Sequence, residues 1–193
     1  MDTNSLIQNM ISAAKLDVNF FNAVEHDESK NQEALTVVII AGVASAIGNG
    51  ILGVFSSGLI AGLIGAIFGL GMMVLGYYIW SYLTFYIGTK FFGGEADVGE
   101  VLRTFGYAYS PQVLSILAFI PCIGQMAAFA GGIWSLVAGV IALREAMDFD
   151  TTKAIITAVI AWVILWIVFG VIIGLLAVMG LGGAFGFSAL LGQ

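Results

Sequence analysis

The 193-residue chain is 60% hydrophobic and only 9% charged, with 26 glycines and a mean hydropathy of +1.04, whereas a soluble domain carries roughly 25% charged residues. Six Lys/Arg, twelve Asp/Glu and one His cannot solvate a globule of this size, which excludes a water-soluble enzyme, and so many apolar residues exclude a disordered chain. The net charge of −6 excludes a nucleic-acid reader, and the lone Cys122 excludes an intramolecular disulfide or a multi-cysteine metal site, leaving an integral membrane protein.

In chain order, residues 1–33 carry no basic front and no central apolar core, so they are expected to be retained rather than removed as a signal peptide. Leu6, Ile7, Met10, Ile11, Ala14, Val18 and Phe21 recur at helical spacing, and Ser5-Leu-Ile-Gln8 fits a capping box. The pattern predicts a short amphipathic helix docked on the protein's own loops at the membrane surface.

Three uncharged runs follow, at 34–89, 104–143 and 154–193. A spanning helix needs about 20 apolar residues. The first run divides at Ser56-Ser57-Gly58 and the second at Pro121-Cys122-Ile123-Gly124, because proline cannot continue a helix and glycine permits the bend. The expected spans are 36–55, 59–88, 105–120, 125–143 and 154–179. They form a five-helix domain over 34–180, with a glycine-rich apolar tail at 181–193. Pro111 frees a carbonyl four residues earlier and is expected to kink the third span.

Lys15, Lys30, Lys90, Arg103, Arg144 and Lys153 all fall on one side of this five-span layout. The positive-inside rule makes that side cytoplasmic, with the N-terminus in and the C-terminus out. The fold class is therefore an all-α, multi-pass bundle in the cell membrane. Small residues four apart (Gly42-Ala46-Gly50, Gly131-Ser135-Gly139) suit close helix packing in lipid.

No Asp, Glu, Lys, Arg or His lies within the five spans as drawn, so nothing relays protons at bilayer depth. Among the intramembrane polar residues, Asn49, Gln112 and Gln125 are expected to hydrogen-bond across helices. His26 stands alone in a solvated acidic segment, on the opposite side from Cys122. No catalytic, cofactor-binding or metal-ligating set can be assembled, and no Gly-Lys-Ser/Thr follows the glycines to cradle phosphate.

The stretch from Phe91 to Pro111 resembles the Yip domain family, the Ypt/Rab-interacting membrane proteins, in a prokaryotic-type form. Similar features continue in order through Gly106-Tyr107, Ser110-Pro111, Pro121, Gly124, Trp134 and Gly139, and cover roughly residues 18–173. The long N-terminal region of eukaryotic members is missing and Asp17 replaces a common proline, so no Rab-type partner is carried over. The resemblance implies a non-enzymatic membrane scaffold or interaction protein. Its contact face is expected on the cytoplasmic loops: Glu95, Asp97, Glu100, Arg103, Arg144, Glu145, Asp148, Asp150 and Lys153. Their acidity calls for a protein partner with a basic surface, and self-association into a homo-oligomer is compatible with the pattern. The alternative is a small-solute or ion permease that moves about Pro111 and needs a connected polar cavity.

Overall fold

The structure, a computed structural model, describes residues 2–178, which are all-α; the tail expected at 181–193 lies outside the described residues. Two helices, α1 (Thr3–Ala14) and α2 (Val18–Glu25), replace the single amphipathic helix expected at the N-terminus. Asp2, not Ser5, caps α1. Its carboxylate accepts from the Asn4 N–H, while the Ser5 hydroxyl donates to the Asp2 carbonyl at 2.8 Å, so the Ser5–Gln8 capping box does not form. Leu16, at φ +61°, ends the helix, and the Asp17 side chain accepts from the Asn19 and Phe20 N–H groups to start α2. The expected apolar face divides as a result. Leu6, Ala13, Phe21 and Val24 are buried against the bundle, whereas Ile7, Ile11 and Val18 stay exposed.

α3 (Asn31–Ser57) and α4 (Leu59–Phe92) form a hairpin about Gly58. That residue sits at φ +90°, where a side chain would be strained. The hairpin closes through Gly50 against Ala66 and Gly62 against Val54. Asn49 departs from its expected role, because its amide donates to the Ser45 carbonyl and hydroxyl of its own helix. α3 also begins earlier than the expected first span. Glu33 therefore lies in its first turn, ahead of the expected span, and is buried. Asn9 Nδ2 at 2.5 Å and Lys30 Nζ at 3.0 Å hold its carboxylate.

The third expected span, 105–120, is not one helix. α5 (Val98–Ala108) stops before the proline, and Ser110–Phe119 continues as a 3-10 helix. Pro111 has no N–H to give to the Tyr107 carbonyl, which instead accepts the Ser110 hydroxyl at 2.7 Å. The expected kink is a change of helix type. Runs of 3-10 helix this long are uncommon because their hydrogen bonds are poorer. This one is gripped from both sides by backbone contacts at glycine, Gly48 facing the Ser115 carbonyl and Gly131 the Pro111 carbonyl.

α6 (Ile123–Ala146) and α7 (Thr151–Val178) complete the bundle. Among the described residues four helices, not five, are long and apolar enough to cross a membrane: Glu28–Ser57, Leu59–Phe92, Ile123–Ala146 and Thr151–Val168.

A Cβ at Gly48 would stand 2.1 Å from the Ser115 oxygen, and one at Gly124 1.9 Å from the Leu117 oxygen, both backbone atoms. Overpacking of this kind costs about 1–3 kcal/mol. Gly48→Ala and Gly124→Ala are each expected to lower the melting temperature of the detergent-purified protein by several degrees. Gly65→Ala, where a Cβ meets nothing, serves as the matched control and should not lower it.

Candidate functional site

The three charged stretches of the sequence meet at one end of the bundle. The Glu95 N–H donates to the Met147 carbonyl at 3.3 Å and Lys153 Nζ to the Phe92 carbonyl at 3.4 Å, joining the α4–α5 loop to the α6–α7 loop. Local capping fixes both loops. Asp97 and Glu100 form a reciprocal capping box at the start of α5, at 2.8 and 2.7 Å. Asp150 accepts the Lys153 N–H at 2.9 Å at the start of α7. Arg144 pairs with Glu145 at 2.7 Å, and the Lys153 ammonium lies 5.7 Å from the centre of the Phe149 ring.

Arg103 is not on this surface, and its expected docking role is corrected. It is 4% exposed. Its guanidinium donates to Asn31 Oδ1 at 3.2 Å and, through Nη2, to the Glu25 carbonyl oxygen. One side chain thereby ties α5 to the end of α2 and the start of α3. Gly99, one turn before it, leaves the room: a Cβ there would sit 3.0 Å from Arg103 Nη1.

Beside Arg103 lies Glu25, the neighbour of His26 in the acidic segment expected to be solvated. Glu25 is 4% exposed, because it falls one turn after Phe21 on the side of α2 that packs inward. Its Oε1 accepts from Asn22 Nδ2 at 3.1 Å and lies 3.2 Å from His26 Nδ1, while Oε2 has no partner. Removal from water pushes the Glu25 carboxyl up to about 7; His26 opposes this, and Asp148, Glu145 and Glu100 reinforce it. The Asn22 carbonyl, at 3.0 Å, and then Glu25 raise the exposed His26. The i, i+4 spacing of Phe21 and Glu25 was the available signal, and the charge of Glu25 masked it.

Of the remaining surface residues, Glu95, Asp97, Asp148, Asp150 and Lys153 are exposed, and Glu100, Arg144 and Glu145 are half-buried. Among the described residues no group of three or more His, Cys, Asp or Glu is arranged to hold a metal ion.

The motif residues lie in the packing around the 3-10 helix. Gly106 lets α5 onto Ala34, and Gly139 sits under the Phe105 ring. Tyr107 is fully buried, edge-on to Phe20 at 5.0 Å, with its hydroxyl unpartnered. Pro121 and Cys122 make the tight turn into α6, the Ile123 N–H reaching the Pro121 carbonyl at 2.7 Å. Trp134 faces outward, 43% exposed, beside Leu16.

The Yip1 domain family model matches residues 18–173, from the start of α2 into α7. The chain belongs to the Yip1 domain family. It is accordingly a multi-pass membrane protein, in keeping with its apolar helices. No curated protein and no solved structure shows a significant match to the chain. The matched region of this Yip1-domain chain begins at α2, so Glu25, Arg103 and the loops that converge on them all fall inside it.

The buried carboxyl makes stability depend on pH with a definite sign. Folding raises the Glu25 pKa from the ordinary 4.5 to about 7, so the folded state binds the extra proton and its stability falls as pH rises through that window. His26, also raised, acts in the same direction. Glu25→Gln should flatten the melting temperature between pH 5 and 8 and stabilise the protein at pH 8 by about 2 kcal/mol, measured by thermal unfolding in detergent.

Proposed function

We propose that this Yip1-domain protein is a non-enzymatic membrane scaffold that meets a basic protein partner through its charged end. The observation that carries the reading is convergence. Segments around residues 25, 95 and 148, far apart in sequence, are hydrogen-bonded into one layer whose outward charges are mostly acidic. Preorganised complementary charge steers encounter and sets specificity.

Five crossings, rather than four, fit the connectivity. The bond between Glu95 and Met147 puts the end of α4 beside the end of α6. The start of α6, 24 residues back, is about 36 Å away. The chain between α4 and α6 has that distance to cover. α5 supplies about 16 Å of it and the 3-10 helix about 20 Å, together enough to cross the apolar layer. The positive-inside rule then makes the charged end cytoplasmic.

The permease reading is not favoured, because the cavity among α4, α5, α6 and α7 has an apolar wall with only isolated polar groups. A solute pathway needs a connected polar lining.

Two experiments test the proposal. For orientation, the exposed Cys122 should react with an impermeant thiol reagent on intact cells. A cysteine at Glu95, in a Cys122→Ser background, should react only after permeabilisation; reaction in intact cells overturns the assignment. For docking, a triple variant combines Glu95→Lys with Asp148→Asn and Asp150→Asn. Asparagine keeps the positive φ at 148 and the cap at 150. The variant should lose most of the partner captured from native membranes at low salt, while stability changes by no more than about 0.5 kcal/mol. An unchanged copurifying set would remove the docking face.

A further inference from the structure

The α3–α4 hairpin fixes the level of the bilayer on the molecule. Its turn, Ser56-Ser57-Gly58, joins two apolar helices. A hydrocarbon layer about 30 Å thick corresponds to about 20 residues of helix, which leads from the turn to Val37 on α3 and Ile79 on α4. The two helices pair in that register, with Gly50 on Ala66 and Val54 on Gly62. Trp80 follows Ile79, and Tyr82 and Tyr86 stand exposed beyond it; Trp and Tyr gather at membrane boundaries. Helix length and the aromatic residues thus agree on the level of Val37 as the edge of the apolar layer.

α1 sits at that edge. Leu6 and Ala13 share a buried cluster with Val37, Tyr107, Ala138 and Ala142. At about 100° per residue, α1 has three sides. Leu6, Met10 and Ala13 face the bundle, and Ser5, Gln8, Ser12 and Lys15 form a polar side. Ile7 and Ile11, 49% and 48% exposed, form a third side that is apolar and open. Asn9 shows which way this side points. Its amide donates to the Glu33 carboxylate, one turn beyond Val37 towards the charged end. Ile7 and Ile11 are each two residues from Asn9, about 160° round the helix, so they point away from the charged end and into the layer.

The open side is continuous with lipid-facing surface. Leu16, just past the end of α1, lines a groove with Phe129, Ile133, Trp134 and Val137, all exposed on the outside of the spanning helix α6. Val18, at the start of α2, is exposed as well. The polar side of α1 carries a single charge, Lys15. Attraction to anionic headgroups is therefore weak, and apolar insertion supplies the hold.

We propose that α1 lies in the membrane plane at the charged end of the bundle and seats Ile7, Ile11 and Val18 among the acyl chains of that leaflet. Its exposed apolar side is a lipid-binding surface that takes neutral lipid as readily as anionic lipid. Because α2 follows directly and the Glu25 carbonyl at its end accepts from Arg103, this anchor also fixes the charged layer relative to the leaflet. The proposal holds whichever side of the membrane the charged end faces and does not depend on the scaffold reading.

The test uses the full chain in phosphatidylcholine vesicles, with a nitroxide on single cysteines in a Cys122→Ser background. Ile7→Cys and Ile11→Cys probe the apolar side, Gln8→Cys and Ser12→Cys the polar side, and Gly65→Cys on the outer face of α4 gives the value for a lipid-facing position. Collision rates are measured with oxygen, which concentrates in hydrocarbon, and with a water-soluble nickel chelate present on both sides of the membrane. The oxygen-to-nickel ratio at positions 7 and 11 should approach that at 65 and exceed that at 8 and 12 at least about threefold. Replacing part of the lipid by phosphatidylserine should leave it unchanged. High nickel collision at 7 and 11, equal to that at 8 and 12, would put this side in water and overturn the proposal. Low collision with both reagents at 7 and 11 would mean that protein covers them, a second copy or another segment of the chain, and overturns it too. A high ratio that appears only with phosphatidylserine would assign the contact to headgroup charge and overturn it as well.

Discussion

In lipid the surroundings are as apolar as the helices, so burying leucine gives no advantage and helices associate through close packing and polar contacts. The contact on which this structure most depends is the insertion of the 3-10 helix Ser110–Phe119 between α3 and α6. Three glycines make it possible. Gly48 admits the Ser115 carbonyl, Gly131 the Pro111 carbonyl and Gly124 the Leu117 carbonyl, so one segment is held by backbone on both flanks. A 3-10 helix is thinner than an α-helix and longer per residue. It therefore needs less room between α3 and α6 than the α-helix the sequence pattern suggested, and covers more depth per residue.

That slot also sets the position of the charged end. α5 is continuous with the 3-10 helix across Tyr109, so fixing one fixes the other. The Tyr77 hydroxyl reinforces the placement by donating to the Leu102 carbonyl at 2.8 Å. With α5 placed, the Arg103 guanidinium reaches Asn31 and the end of α2. The N-terminal pair α1–α2 is thus a part of the bundle's packing, with Phe20 on Tyr107 and Phe21 in the same buried cluster.

The sequence was legible where one physical rule acted alone. Membrane class followed from composition, and the hairpin at Ser56–Gly58 and the turn at Pro121–Gly124 followed from glycine and proline chemistry. It was less legible where two rules competed. At Ser5 the capping-box pattern lost to Asp2, whose carboxylate takes up a free N–H nearer the chain start. At Phe105–Ile120 hydropathy predicted a span, but the missing N–H of Pro111 and the glycine slot selected a different helix type. Charge misled twice, for Glu25 and Arg103. Both are polar in any composition count, yet they are buried because their helix faces are set by Phe21, Phe105 and Tyr107 around them. The periodicity was present; the side-chain charge argued against reading it.

The same limits explain why the glycines divide into two kinds that the sequence does not separate. Gly131 and Gly132 are adjacent on α6, yet a Cβ on the first strikes the Pro111 carbonyl while one on the second meets open space. Consecutive residues on a helix point about 100° apart, so one faces the slot and the other the cavity. Packing accounts for the first alone. The second retains the backbone cost of glycine without a contact to show for it, as Gly65, Gly69 and Gly71 of α4 also do. Ser135 and Gly139 follow at one-turn intervals from Gly131, and both line the same cavity. A stripe that reads as a single helix-packing motif therefore holds the 3-10 helix at one end and borders an open volume along the rest. The 3-10 helix and the open space thus border neighbouring faces of α6.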